Sequence, residues 1–140
     1  AGENTDQNDE ALVDFGMPMG PIELCDQVGL DVCLDVGMVL GIAPAAEKIL
    51  RAHCAAQNLG RKTGSGFYQW DGNRPIRPRA AVDAAVMAEI AASMLAPMIE
   101  QCQQAVDAGV VDSADSADAG MIFGTGFPGF RGGPLHWSKQ

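Results

Sequence analysis

A turn dense in glycine and proline constrains the fold of this chain more than any other stretch. Residues 15–24 read FGMPMGPIEL, so two glycines and two prolines fall between Gly16 and Pro21. Glycine permits φ angles that other residues avoid and proline fixes φ, so this density interrupts any helix or strand. Pro21 suits the first position of a new helix, and Glu23 then lies near the positive end of its dipole. The sequence predicts a shaped turn that leads into a helix.

The turn carries large apolar side chains where polar ones are usual. Phe15, Met17, Pro18 and Met19 belong to the turn, and Leu24 follows in the first turns of the next helix. Such a loop either plugs the protein core or forms one wall of an apolar cleft. Both interpretations stay open on the residues alone.

The same pattern returns near the other end of the chain. Residues 123–137 read FGTGFPGFRGGPLHW, in which Phe-Gly opens the segment and Gly-Pro starts the next one. Placing Phe15 on Phe123 gives an offset of 108 positions. The shared turn chemistry predicts an internal duplication. The second loop is longer than the first and carries Arg131.

Apolar residues recur at helical spacing over most of the chain, which predicts an all-α fold. The longest pattern covers residues 80–108, where Pro97 is expected to kink or divide the helix. A small β-hairpin is expected near residues 66–79, because an aromatic run precedes the turn signal Asp71-Gly72.

The two copies are expected to be unequal. Residues 9–79 form the first copy with the hairpin, and residues 80–140 form the second. A long helical pattern precedes the second turn, whereas only a short one, from residue 9, follows the polar residues 1–8 before the first. The first copy is therefore expected to be truncated at its N-terminus, and the polypeptide to be a fragment.

Charge and cysteine usage exclude several classes of function. The net charge of −9 argues against nucleic-acid and anionic-membrane partners. The most apolar window, residues 84–99, is interrupted by polar residues and a proline, so no membrane span is expected. The four cysteines occur singly within helical patterns, which predicts buried free thiols in a reducing cytoplasm rather than a metal site.

Five of the nine basic residues lie between Arg61 and Arg79. They form either a solvated hairpin surface or, with the glycines of residues 60–66, a loop that binds phosphate. His53 and His136 are the only histidines, and neither has a neighbouring carboxylate to orient it as a general base. The sequence also lacks a nucleophile elbow, a metal motif and a dinucleotide fingerprint. It therefore predicts no catalytic, cofactor-binding or metal-ligating residue.

Three segments carry a resemblance to a known family. Residues 15–31, which begin FGMPMGP, resemble the C-terminal domain of 3-hydroxyacyl-CoA dehydrogenases, and residues 60–68, GRKTGSGFY, resemble that domain's closing segment. Residues 123–134 resemble the second copy of the domain, which is a feature of the multifunctional fatty-acid oxidation α subunit. The three segments occur in family order and the resemblance covers residues 9–140.

The resemblance implies a duplicated helical domain of the 6-phosphogluconate dehydrogenase C-terminal-like type behind an NAD-binding Rossmann domain. The parent enzyme would oxidise (S)-3-hydroxyacyl-CoA with NAD+, using a His–Glu pair and an Asn that this sequence does not contain. The resemblance thus implies no catalytic residue and no bound NAD for this chain, and inactivity on its own.

The resemblance also implies that part of this chain forms one wall of the acyl-CoA cleft. Its candidate residues are Phe15, Met17, Pro18, Met19 and Leu24. The implied partners are the missing Rossmann domain and an oligomer formed through helical surfaces. The alternative is a non-catalytic helical interaction module, and the coding sequence upstream of residue 1 separates the two.

Overall fold

The computed structural model describes residues 5–77 and 83–140 of the 140-residue chain. Within those ranges the chain forms helices and one small hairpin, as the helical spacing predicts. The α-helices are α1 (Thr5–Phe15), α2 (Pro21–Val28), α3 (Leu30–Leu40), α4 (Pro44–Ala55), α5 (Ala84–Asp107), α6 (Ala114–Thr125) and α7 (Pro134–Trp137).

Proline and glycine set most of these helix boundaries. Pro21, Pro44 and Pro134 each open a helix, where a missing N–H has no intrahelical partner to lose. Gly29 separates α2 from α3, as the sequence indicated. The expected start of the first helix at residue 9 is wrong, because α1 already begins at Thr5.

The hairpin lies where the aromatic run predicts it. Strands β1 (Gln69–Asp71) and β2 (Arg74–Ile76) pair in antiparallel register, with Trp70 opposite Pro75. Residues 78 and 79 of the expected hairpin lie outside the described residues. The first strand is shorter than the aromatic run because the amides of Phe67 and Tyr68 bind a side chain instead of the neighbouring strand.

Pro97 does not divide the long helix. Helix α5 runs without interruption from Ala84 to Asp107, with the proline inside it. Asp83 caps its first turn by accepting a hydrogen bond from the amide of Ala85. Proline removes one intrahelical hydrogen bond, and packing of the buried residues Met87, Ala91, Leu95 and Cys102 along α5 offsets that loss.

The chain divides into two compact units. The first comprises Ala1–Asp9 and Pro21–Ala80, and the second comprises Glu10–Gly20 and Ala81–Gln140. The second half of α1 and the first turn thus belong to the unit that contains α5. The first unit buries Leu30, Leu50, Tyr68 and Trp70. The core of the second unit contains Ala11, Leu12, Phe15, Met87, Ala91, Leu95 and Phe127.

A buried carboxylate holds the hairpin in the first unit. The Asp26 side chain is fully enclosed and accepts hydrogen bonds from the amides of Phe67 and Tyr68 and from Trp70 Nε1, each at 2.9 Å. Gly66 lies against this carboxylate, since a Cβ there would come within 2.3 Å of Asp26 Oδ1. Charge-assisted bonds of this kind are about twice as strong as neutral ones. The GSGFY segment is therefore fitted around Asp26.

Each Gly-Pro helix start is capped by a buried aspartate from the preceding helix. In the first unit Asp9 accepts from the amides of Ile22 and Glu23, both at 2.8 Å. In the second unit Asp118 accepts from the amides of Leu135 and His136, at 2.7 and 2.9 Å. Neither carboxylate drew attention in the sequence, where a charged residue within a short helix is usually exposed.

These caps shift the expected alignment of the two turns by one residue. Asp9 and Asp118 are 109 positions apart. The hydrogen bonds that end the two helices are offset by the same 109 positions, in both the donor and the acceptor. The amide of Met17 bonds to the carbonyl of Leu12, and that of Gly126 bonds to the carbonyl of Met121. The pairing of Phe15 with Phe123 is therefore wrong. That pairing aligned identical residue types. In the structure, the number of residues between the capping aspartate and the end of its helix is the same in both turns.

The cysteines are free thiols, as predicted, but only Cys102 is buried. The expectation of burial is thus wrong for Cys25, Cys33 and Cys54, which are half-buried. Among residues 5–77 and 83–140, no cluster of His, Cys, Asp or Glu has the arrangement of a metal site. No helix in the same ranges has the length and apolar character needed to cross a membrane.

Replacing Asp26 with asparagine should lower the free energy of unfolding by about 2–3 kcal/mol, because the buried donors lose a charged acceptor. Asp35, which is exposed on α3, provides the matched control, and Asp35→Asn should change stability by less than about 0.5 kcal/mol. Urea denaturation monitored by circular dichroism measures both. Equal stabilities for the two variants would contradict a structural role for Asp26.

The stability contributed by Asp9 should depend on pH. Burial raises the pKa of its carboxyl above the usual 3.8, against the opposing hydrogen bonds from Ile22 and Tyr68. The folded chain then binds the proton more tightly than the unfolded chain. This contribution is fully present below the unfolded pKa and is lost as the pH rises through the folded pKa.

Lowering the pH from about 7 to about 4 should therefore stabilise the native chain relative to Asp9→Asn. Urea denaturation of both proteins across this range measures the difference between their free energies of unfolding. A difference that stays constant with pH would show that the folded pKa of Asp9 is not raised.

Candidate functional site

The turn at residues 15–20 forms because α1 ends on two backbone hydrogen bonds. The amide of Gly16 bonds to the carbonyl of Val13 and that of Met17 to the carbonyl of Leu12, both at 2.9 Å. Gly16 has a φ of 119°, which an L-amino acid rarely adopts. The turn then carries the side chains of residues 17–19 before α2 begins at Pro21.

Phe15 is a core residue. Its ring packs edge to face against Phe127 at a centroid distance of 5.5 Å and against Trp137 at 4.9 Å. The guanidinium of Arg131 lies over the same ring at 4.0 Å, and Arg131 Nε donates a hydrogen bond of 2.7 Å to the carbonyl of Phe15. The burial of Phe15 agrees with the interpretation of the turn as a plug of the protein core.

The rest of the turn is more open. Met17 is half-buried and packs against the core cluster of the second unit. Pro18 is exposed, and its ring lies close to the backbone of Gly126, where a Cβ would meet Pro18 Cγ at 2.9 Å. Met19 is half-buried. These three side chains are apolar and more accessible than Phe15.

Leu24 lies in the first unit, on α2, and is 49% exposed. It begins a row of exposed apolar residues on α2 and α3. Val28, Val32 and Val36 continue the row at four-residue intervals. The spacing was visible in the sequence, but spacing alone does not separate a face that packs inside the chain from one that remains bare.

The histidines are not arranged for acid–base catalysis. The ring of His53 packs on Phe67 at 4.7 Å, and its Nδ1 has no hydrogen-bond partner among the described residues. His136 is exposed and takes part in the Asp118 cap through its backbone amide. Over residues 5–77 and 83–140 no carboxylate accepts a hydrogen bond from either imidazole. Neither ring therefore has the orienting partner that a general base needs.

The basic loop does not present its amides to a phosphate. The amides of Gly60, Thr63, Gly64 and Gly66 all bond to carbonyls of residues 60–68. The neighbouring cations also have partners: Lys62 Nζ lies 2.5 Å from an Asp31 oxygen, which lowers the pKa of Asp31. Arg77 pairs with Glu23. These contacts favour a solvated hairpin surface.

Comparison with known proteins agrees with the three sequence segments. The family described as 3-hydroxyacyl-CoA dehydrogenase, C-terminal domain, matches residues 3–70. The fatty acid oxidation complex subunit alpha of Shewanella sp. (strain MR-4) is 36% identical over 158 residues, covering 97% of this chain and 22% of the relative. The same subunit of Vibrio cholerae serotype O1 (strain ATCC 39541) is 34% identical over 154 residues, covering 98% and 21%.

A solved structure shares the fold. The dehydrogenase part of multifunctional enzyme 1 from C. elegans superposes with a TM-score of 0.65 at 22% identity, covering 90% of this chain and 31% of that one. This chain spans about a fifth of the length of the Shewanella and Vibrio relatives.

Truncating Phe15 to alanine should lower the free energy of unfolding by about 3–5 kcal/mol, because it empties the space between two aromatic rings and a guanidinium. Phe123→Ala provides the matched control, since Phe123 is 89% exposed and should change stability by less than about 0.5 kcal/mol. Thermal or urea denaturation measures both changes. Equal losses of stability in the two variants would show that the described packing of Phe15 against Phe127 and Trp137 is wrong.

Proposed function

We propose that this chain is the C-terminal helical region of an NAD-dependent enzyme of fatty-acid β-oxidation, since residues 3–70 match the family described as 3-hydroxyacyl-CoA dehydrogenase, C-terminal domain. The observation that carries the proposal is the similarity to fatty acid oxidation subunits over 97% of the chain. The parent enzyme oxidises a 3-hydroxyacyl-CoA. Its NAD and its catalytic pair are held by a Rossmann domain outside these 140 residues.

This region contributes no acid–base group to the reaction. The packing of His53 on Phe67 and the lack of a carboxylate partner among the described residues support that assignment. Binding without such groups gives little rate enhancement. The isolated chain is therefore inactive toward 3-hydroxyacyl-CoA and binds no NAD.

The turn contributes to the wall of the acyl-CoA cleft. Met17, Pro18 and Met19 are apolar and partly exposed, whereas the ring of Phe15 is enclosed. A thioether side chain is flexible and polarisable, so it adapts to acyl chains of different lengths. Phe15 lies in the core of the second unit. Leu24, which is exposed on α2 of the first unit, is a separate candidate for contact with the acyl chain.

The exposed row on α2 and α3 is a packing surface. Leu24 and Val28 on α2, and Val32 and Val36 on α3, lie four residues apart, which gives each helix a short apolar stripe of the kind that helices bury against a partner. In the parent enzyme this stripe packs against another part of the protein or against a second subunit. It would also suit a non-catalytic interaction module, which remains the alternative function.

The duplication of residues 9–79 and 80–140 also stays a proposal. Its support is the repeated cap, in which a buried aspartate of a short helix binds the first amides of a helix that opens at Gly-Pro.

A chimaera tests the cleft wall. Fusing this chain to the preceding part of the Shewanella relative should give an NAD-dependent dehydrogenase, whereas the isolated chain should give no turnover. Met19→Trp should shorten the space for the acyl chain, so kcat/KM should fall by about tenfold for long chains and little for short ones. The KM for NAD+ should stay unchanged. Met38→Trp, on the exposed surface of α3, is the control.

If kcat/KM fell equally for all acyl chain lengths and the melting temperature also fell, the turn would be a core plug and not part of the cleft wall. Turnover by the isolated chain that disappears on mutating His53 or His136 would overturn the assignment of catalysis to another domain. A start codon immediately upstream of residue 1, in place of a Rossmann fingerprint, would favour the interaction module.

A further inference from the structure

A depression of about 240 Å³ opens on the second unit, beside the C-terminal end of α1 and the first turns of α5. Its walls are mostly apolar. One side is a face of α5 that carries Ala84, Ala88 and Ala91 together with Met87, and Trp137 also lines the space. The space exists because alanine side chains occupy that helix face, where larger residues would fill it.

One cation borders this space in a fixed position. Arg131 lines the depression, and its guanidinium is held by the ring and the carbonyl of Phe15 through the contacts given above. Its Nε–H is used by that carbonyl, which leaves the four N–H groups of Nη1 and Nη2. In the described part of the chain no carbonyl or carboxylate accepts from them, and Asp14, which also lines the depression, forms no ion pair with Arg131.

The guanidinium is thus oriented before any ligand arrives. Arginine recognises a carboxylate through a planar pair of N–H donors, and a donor that is already fixed loses little entropy on binding. Ala84 is the first residue of a 24-residue helix, so the positive end of that helix dipole lies at the same rim. Asp14 repels any anion at this site, and it repels a phosphate dianion more strongly than a monocarboxylate.

We propose that this depression binds a small monocarboxylate with an apolar body, with its carboxylate on Arg131 and its tail against the alanine face of α5. At about 30 Å³ for each heavy atom in a liquid, the space holds roughly eight such atoms. Hexanoate has this size. The site is separate from the proposed acyl-CoA wall of residues 17–19 and does not depend on the proposed enzyme function.

Hexanoate titration of the 15N-labelled chain tests the proposal by NMR. The indole N–H of Trp137 should shift and saturate with a dissociation constant in the millimolar range, whereas Trp70, buried in the first unit, should stay in place. Trp137→Phe assigns the two signals. Hexanamide has the same shape without the charge and should bind at least tenfold more weakly. Equal binding of the amide, or no saturable shift, would overturn the proposal.

A second test uses a variant that fills the depression while the chain stays folded. Ala88 is exposed in mid-helix, so Ala88→Leu should keep α5 intact and weaken hexanoate binding more than tenfold. Ala85→Leu is the matched control, since Ala85 is also exposed on α5 but does not border the space; it should bind like the native chain. Unchanged affinity in Ala88→Leu, with a native spectrum, would place the ligand elsewhere and refute the site.

Discussion

Carboxylates buried against backbone amides hold this fold together. Asp9 and Asp26 have no exposed surface, and each accepts three hydrogen bonds from groups that lie far away in the sequence. A buried charge is costly unless donors surround it. The donors here are mostly fixed backbone amides, which require no side-chain ordering. Tyr68 joins the two sites, since its amide binds Asp26 and its hydroxyl binds Asp9.

The second unit contains a cap of the same kind. Asp118 caps the helix that opens at Pro134, as Asp9 caps the helix that opens at Pro21. The intervening loops differ in length, and a short 3-10 turn at Gly129–Arg131 accommodates the extra residues of the second. The requirement for close approach recurs as well, since a Cβ on Gly133 would come within 2.3 Å of Asp118 Cβ. Loop length varies while the cap remains.

Local patterns predicted the helices and the hairpin, because proline, glycine and apolar spacing act over a few residues. They did not predict the interior aspartates, whose partners lie 13 to 59 positions away. For the same reason the sequence placed Phe15 in the candidate site but not Arg131, whose contact with Phe15 joins positions 116 residues apart. Pro97 was expected to interrupt the helix because the sequence shows the hydrogen bond that a proline removes. It does not show the packing of α5, which offsets that loss.

The division of the chain has a consequence for its synthesis. Residues 10–20 are synthesised before the residues that follow position 80, with which they pack. During translation, the first unit has all its parts once the hairpin has left the ribosome. The ring of Phe15, by contrast, waits for Phe127 and Trp137. Contacts between such distant positions form slowly. A nascent chain therefore exposes this turn until Phe127 and Trp137 have been synthesised, and a chaperone that binds aromatic segments has access to it during that time.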